Sequence, residues 1–194
     1  MVRSSIRSSV LAALLFIASD AQPQSLETPG LTLARAAAAQ IGVTVRYDPA
    51  YVKLSYPGGD VPADRGVCTD VVVRAFRKLG FDLQKEVHED MRRNFRSYPQ
   101  NWGLRSPDRN IDHRRVPNLM TFFERKGRKL ATGATVMPGD VIAWRLPGGL
   151  LHIGVASEKI SRISGRRLMI HNIGQGAREE DILEEFERIG HYRW

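Results

Sequence analysis

The sequence predicts an α+β fold, with N-terminal helices packed on a C-terminal antiparallel sheet. Apart from one short acidic stretch near the C-terminus, helical patterns fall before about position 127. Beyond it, short apolar runs each follow a Gly- or Pro-containing turn. Helices first and short, closely spaced strands second is the α+β order. No internal repeat interrupts it.

The elements follow in chain order. Thr32 to Ile41 (TLARAAAAQI) is alanine-rich, with Thr32 as N-cap and Gly42 as stop. Val43 to Tyr47 reads as a short strand, and Asp48 to Gly66, with three prolines, as a structured loop. Cys68 to Leu79 is a helix, with Val72, Ala75 or Phe76, and Leu79 on one face and Gly80 closing it. Gln84 to Tyr98 is a third helix, with Val87, Met91 and Phe95 in line. Pro99 to Arg115 is a long polar loop, and Pro117 opens a helix that ends at Gly127. Val141–Trp144, Leu151–Ala156 and Leu168–Asn172 read as strands. Arg178 to Glu187 reads as a short acidic helix, and Ile189 to Trp194 as a closing strand.

The first residues speak to compartment. Arg3 and Arg7 precede the apolar run Val10 to Ala18, and the small residues Ser19 and Ala21 follow. That is the order of a secretory signal peptide over residues 1–21, cleaved after Ala21. The run is short for a permanent anchor, and no later segment predicts a membrane span. Residues 22–30, with Pro23 and Pro29, read as a linker, and residues 31–194 as a single domain. The expected product is exported, periplasmic or secreted. The whole chain has a formal charge of +8, which suits an anionic partner in the cell envelope. The basic residues are scattered, and no nucleic-acid-binding motif accompanies them.

Cys68 is the only cysteine, so it forms no internal disulfide. It stands where loop becomes helix, and free amides there favour an ionised thiol. A cysteine hydrolase also needs a base and a group that orients it. His152 opens the strand HIGVA, and His171 lies near the end of the next, MIHN. Neighbouring antiparallel strands can bring the two side by side. Taken singly, each is ordinary: a helix filler and two satisfied strand-end histidines. Their order and placement together predict catalysis.

The stretches GVCTDVVVRAFRKLG, PGDVIAW, HIGVAS and MIHNIGQG resemble the core of the NlpC-like, papain-related cysteine peptidases of the cell wall. YDPAY, YPGGDVP, GVCTD and NIDHRRVPNL resemble, more closely, an exported bacterial family catalogued as domain of unknown function 1287 and grouped with that clan. This second resemblance runs through nearly all of the chain after the signal. Together they imply a papain-like fold, with Cys68 as nucleophile, His152 as base and then acid, and His171 as orienting residue. Asn172 is the alternative third member. Tyr47 matches loosely an upstream tyrosine that helps hold the oxyanion; a packed aromatic is the other reading. The implied reaction is hydrolysis of an amide bond, in the stem peptides of peptidoglycan, without a cofactor.

Two departures stand out. The peptidases read Asp-Cys-Ser, whereas this chain reads Val67-Cys68-Thr69-Asp70, and a carboxylate at Asp70 would raise the thiol pKa if it faced the sulfur. Residues 88–118 look like an insertion between the cysteine helix and the sheet. It carries Asp112-His113-Arg114-Arg115. Either His113, Arg114 and Arg115 grip an anionic substrate, or Asp112 and the arginines form ion pairs that hold the long loop in place. No metal site is predicted, because no histidine pair has helical spacing and there is no second cysteine. Two rivals share the observations: an acyl transferase or other amidase on the same triad, and a non-catalytic, basic wall-binding protein.

Overall fold

A computed structural model describes residues 28–194. The expected signal peptide, residues 1–21, and most of the expected linker lie outside the described residues. Helix α1 (Pro29–Ala38) begins earlier than the sequence suggests: Thr28, not Thr32, is the N-cap, its hydroxyl accepting from the Leu31 N–H at 3.3 Å. Pro29 fits the first helical position, where a missing N–H costs nothing.

Strands β1 (Arg46–Tyr47) and β2 (Arg65–Gly66) form a two-residue parallel pair that bounds the loop between them. Helix α2 (Cys68–Lys78) follows at once, then α3 (Leu83–Asn94) and α4 (Val116–Arg125). The sheet holds β3 (Val141–Arg145), β4 (Leu151–Ile160), β5 (Arg167–His171), β6 (Arg178–Glu180) and β7 (Glu187–Tyr192). Its order is β6-β5-β4-β3-β7, antiparallel throughout. The fold is α+β.

The expected helix over Arg178–Glu187 is not formed. Its first residues are β6, with His171 opposite Arg178 and Met169 opposite Glu180. Ile182 and Leu183 then turn inward onto Trp144 and Met169. Strand pairing and burial outweigh the helical preference of an acidic run.

Alternation along the strands gives the sheet two apolar faces. Val141, Ala143, Ile153, Val155 and Ile170 face the helices, meeting Val72, Phe76 and Leu119. Ile142, Trp144, Ala156 and Met169 face the other way, covered by Ile182 and Leu183. At the Pro138-Gly139-Asp140 turn, a side chain on Gly139 would lie 2.1 Å from the Gly30 carbonyl oxygen, so glycine lets α1 start against the sheet. Asp140 binds the end of the chain, taking His191 Nε2 at 2.7 Å and two contacts from Arg193 at 2.7 Å.

Candidate active site

Cys68 is the first residue of α2, and its neighbours fix that helix start. Asp70 turns back, and its carboxylate accepts the Val67 N–H at 2.6 Å. Gly66 has room for this only because it lacks a side chain: a Cβ there would stand 2.8 Å from Asp70 Oδ2. Arg114 then clasps Asp70 from the other side, Nε to Oδ1 at 2.9 Å and Nη2 to Oδ2 at 3.0 Å. The same guanidinium donates to the carbonyls of Ala50 and Asp48. Both side chains are buried, 1% and 3% exposed. Arg114 therefore holds the cysteine helix to its loop, through Asp70 and not through the expected Asp112, which pairs with Arg115. His113 is buried as well, and burial drives its pKa down to about 3.

The sulfur lies beside β4. Backbone N–H groups of Ile153, Thr69 and Cys68 are directed at it and favour the thiolate, while burial and, more weakly, Asp70 oppose them. Burial wins and pushes the thiol up to about 12. This corrects the expectation of an easily ionised helix-start thiol: loss of water outweighs the free amides.

His152, one residue before the Ile153 amide, stands on the Trp144 face of the sheet. Its ring stacks on the indole, 5.8 Å between centroids at 27°. Its Nε2 is 3.1 Å from His171 Nδ1, so its hydrogen-bond partner is His171 and not Cys68. Burial, and then His171, lower the His152 pKa to about 3. His171 Nε2 lies 3.0 Å from Glu180 Oε2, within ion-pair reach but off the line of a good hydrogen bond. Gly154 makes the histidine contact possible: a Cβ there would meet Ile170 O at 2.9 Å, His171 Cβ at 3.1 Å and Trp144 at 3.3 Å. Asn172, next along the chain, points elsewhere. Its side-chain amide donates to Gly66 O at 3.0 Å and anchors the loop before Cys68.

Cys68 opens on a cleft of about 600 Å³ that Tyr47, Trp102, Arg115, Arg145 and Leu151 help line. Tyr47 is 42% exposed there, and its phenol is raised by burial and by the nearby Cys68. Arg115 lies flat on Trp102, 3.9 Å from the ring centre, and pairs with Asp112 at 3.1 Å. Segment 99–115 thus supplies one wall. It is tied to the 48–59 loop, where the Leu54 N–H meets Asn110 Oδ1 at 2.9 Å. Among the described residues, no three of His, Cys, Asp and Glu converge as metal ligands, and no helix is long and apolar enough to cross a membrane.

Residues 34–194 match the family model described as Domain of unknown function (DUF1287). The chain belongs to that family. It is 56% identical over 167 residues to the Uncharacterized protein YijF of Escherichia coli (strain K12), covering 84% of this chain and 81% of that one. No solved structure matches. In this DUF1287 member, sequence reasoning did not find Trp144, Glu180 or Trp102. Trp144 was within reach, as a large aromatic on the strand beside His152. Glu180 was hidden by assigning its segment to a helix.

Proposed function

We propose that this DUF1287 protein is an exported, papain-like thiol hydrolase of the NlpC-like kind, cleaving an amide bond in peptidoglycan stem peptides. The observation that carries the reading is Cys68 at the edge of a cleft, its sulfur facing helix-start amides and the amide of Ile153, with His152, paired to His171, the adjacent residue of that strand. Nε2 of His152 is taken by His171, which leaves Nδ1 as the nitrogen for the thiol. At neutral pH thiol and imidazole are both uncharged, so attack requires the proton to move as the carbon–sulfur bond forms. General-base contacts of this kind tighten when substrate arrives. The sulfur adds to the carbonyl carbon, His152 takes the thiol proton, and helix-start amides hold the oxyanion. His152 then gives that proton to the leaving amine, and water releases the acyl group by the reverse sequence. An amine acceptor in place of water would make the same site an acyl transferase, or a different amidase.

The test is digestion of purified peptidoglycan with the mature protein, with fragments identified by mass spectrometry. We expect cleavage at one type of amide bond, abolished by Cys68→Ala. Equal digestion by the alanine variant would sink the reading. A second reading has an observation of its own: a buried thiol with no hydrogen bond to His152 suits a basic wall-binding protein whose cysteine is packing. That reading predicts sedimentation with peptidoglycan and no fragments. Export is tested separately: the protein made with residues 1–21 should be recovered outside the cytoplasm with a shortened N-terminus.

A further inference from the structure

Two neutral imidazoles that share one contact leave a choice open. Either Nε2 of His152 carries the hydrogen and Nδ1 of His171 the lone pair, or the reverse. The first arrangement gives His152 a lone pair on Nδ1. The second puts the hydrogen there and removes the base. Nothing in the 3.1 Å contact itself decides between them.

We infer that Glu180 decides it: its carboxylate is a positioning group that fixes the tautomers of both histidines and so selects Nδ1 of His152 as the basic nitrogen. A carboxylate accepts hydrogen bonds and cannot donate one. Its Oε2 stands 3.0 Å from His171 Nε2, off the line of a good hydrogen bond but close enough for its charge to act, and among the described residues no hydrogen-bond partner competes for that nitrogen. A lone pair facing the carboxylate would be repelled, so Nε2 of His171 carries the hydrogen. A neutral imidazole has one N–H, so Nδ1 of His171 is the acceptor. The contact to His152 then requires the hydrogen on Nε2 of that ring. Trp144, stacked on His152, holds the ring against flipping. Glu180 is 39% exposed at the mouth of a small cavity of about 130 Å³, shared with His171 and Arg178. It can therefore be replaced without opening the core.

The assignment of tautomers stands on this geometry; only its effect on turnover rests on the proposed hydrolase activity. The test is a long-range proton–nitrogen correlation spectrum of the 15N-histidine-labelled protein at neutral pH, in which the two tautomers have distinct nitrogen shifts. His171→Asn assigns the signals. We expect Nε2–H for both His152 and His171 in the wild type, a mixture in Glu180→Ala, and return to the wild-type pattern in Glu180→Asp. Turnover in Glu180→Ala should fall by roughly 10- to 100-fold, as when a group orienting a reactive imidazole is removed. Glu180→Gln, which keeps the shape, should also mix the tautomers. A wild-type His152 carrying its hydrogen on Nδ1 overturns the inference, as does a Glu180→Ala spectrum identical to the wild type. If the tautomers shift as expected while the wild-type protein digests no peptidoglycan, the inference stands and the hydrolase reading falls.

Discussion

Gly154 occupies the most crowded point near the histidines. Three separate groups lie within 3.3 Å of where its Cβ would be, one of them the backbone oxygen of Ile170. Backbone cannot swing aside as a long side chain can, so Gly154→Ala should strain the β4–β5 contact. The expected cost is about 1–3 kcal/mol, measured by urea unfolding. An unchanged midpoint would mean that the strands separate more easily than the geometry implies. The Cys68 thiol gives a second test at this scale. Because burial pushes it up to about 12, alkylation by iodoacetamide should still be accelerating above pH 9. A midpoint below the free-thiol value of about 8.5 would show that the amides win over burial after all.

Among the elements, α2 and the strands after residue 140 were legible because their signals are local. Periodicity and Gly80 give the helix, and Pro138-Gly139 and Pro147-Gly148 announce β3 and β4. The histidine and asparagine of MIHN were legible as facing opposite ways because strand residues alternate. What stayed hidden depends on partners distant in sequence. Val43 to Val45 looks like strand but has only two paired residues after it, since β2 is short. Arg178 to Glu180 is polar enough for an exposed helix, and only β5 makes it a strand. Whether Arg114 binds substrate or Asp70 cannot be read from a loop sequence, because Asp70 is 44 residues away. The ion pair that results has a clear consequence. Arg114→Gln leaves the Asp70 carboxylate buried without its partner and should cost about 3–5 kcal/mol. Adding Asp70→Asn should recover part of that loss in a thermal melt. If the single variant melts like the wild type, the pair contributes little, and α2 is held by packing.

For the molecule as a whole, buried histidines set the response to acid. His113 and His152 are both held down to about 3, against an ordinary value of 6.5. A depressed histidine favours the folded state above pH 6.5, and that contribution is lost as pH falls from 6.5 toward 3, because only the unfolded chain takes up the proton. Asp112 works in the opposite sense. Raised to about 6, it takes up a proton in the folded state first, and so offsets one histidine between about pH 6 and 4. Unfolding free energy should therefore decline with acid below pH 6.5. His113→Gln should flatten the decline by about 1.4 kcal/mol per pH unit. Equal slopes for the two proteins would mean that His113 gains water before the fold is lost. Asn172 points to one more consequence. Its side chain fastens the residue two places before the cysteine, yet it lies 106 positions further along the chain. A ribosome has therefore made Cys68 long before it makes the fastener, and Glu180 comes later still. A nascent or prematurely terminated chain ending before β5 carries Cys68 without this clamp and without His171, so the site can assemble only once nearly all of the polypeptide exists.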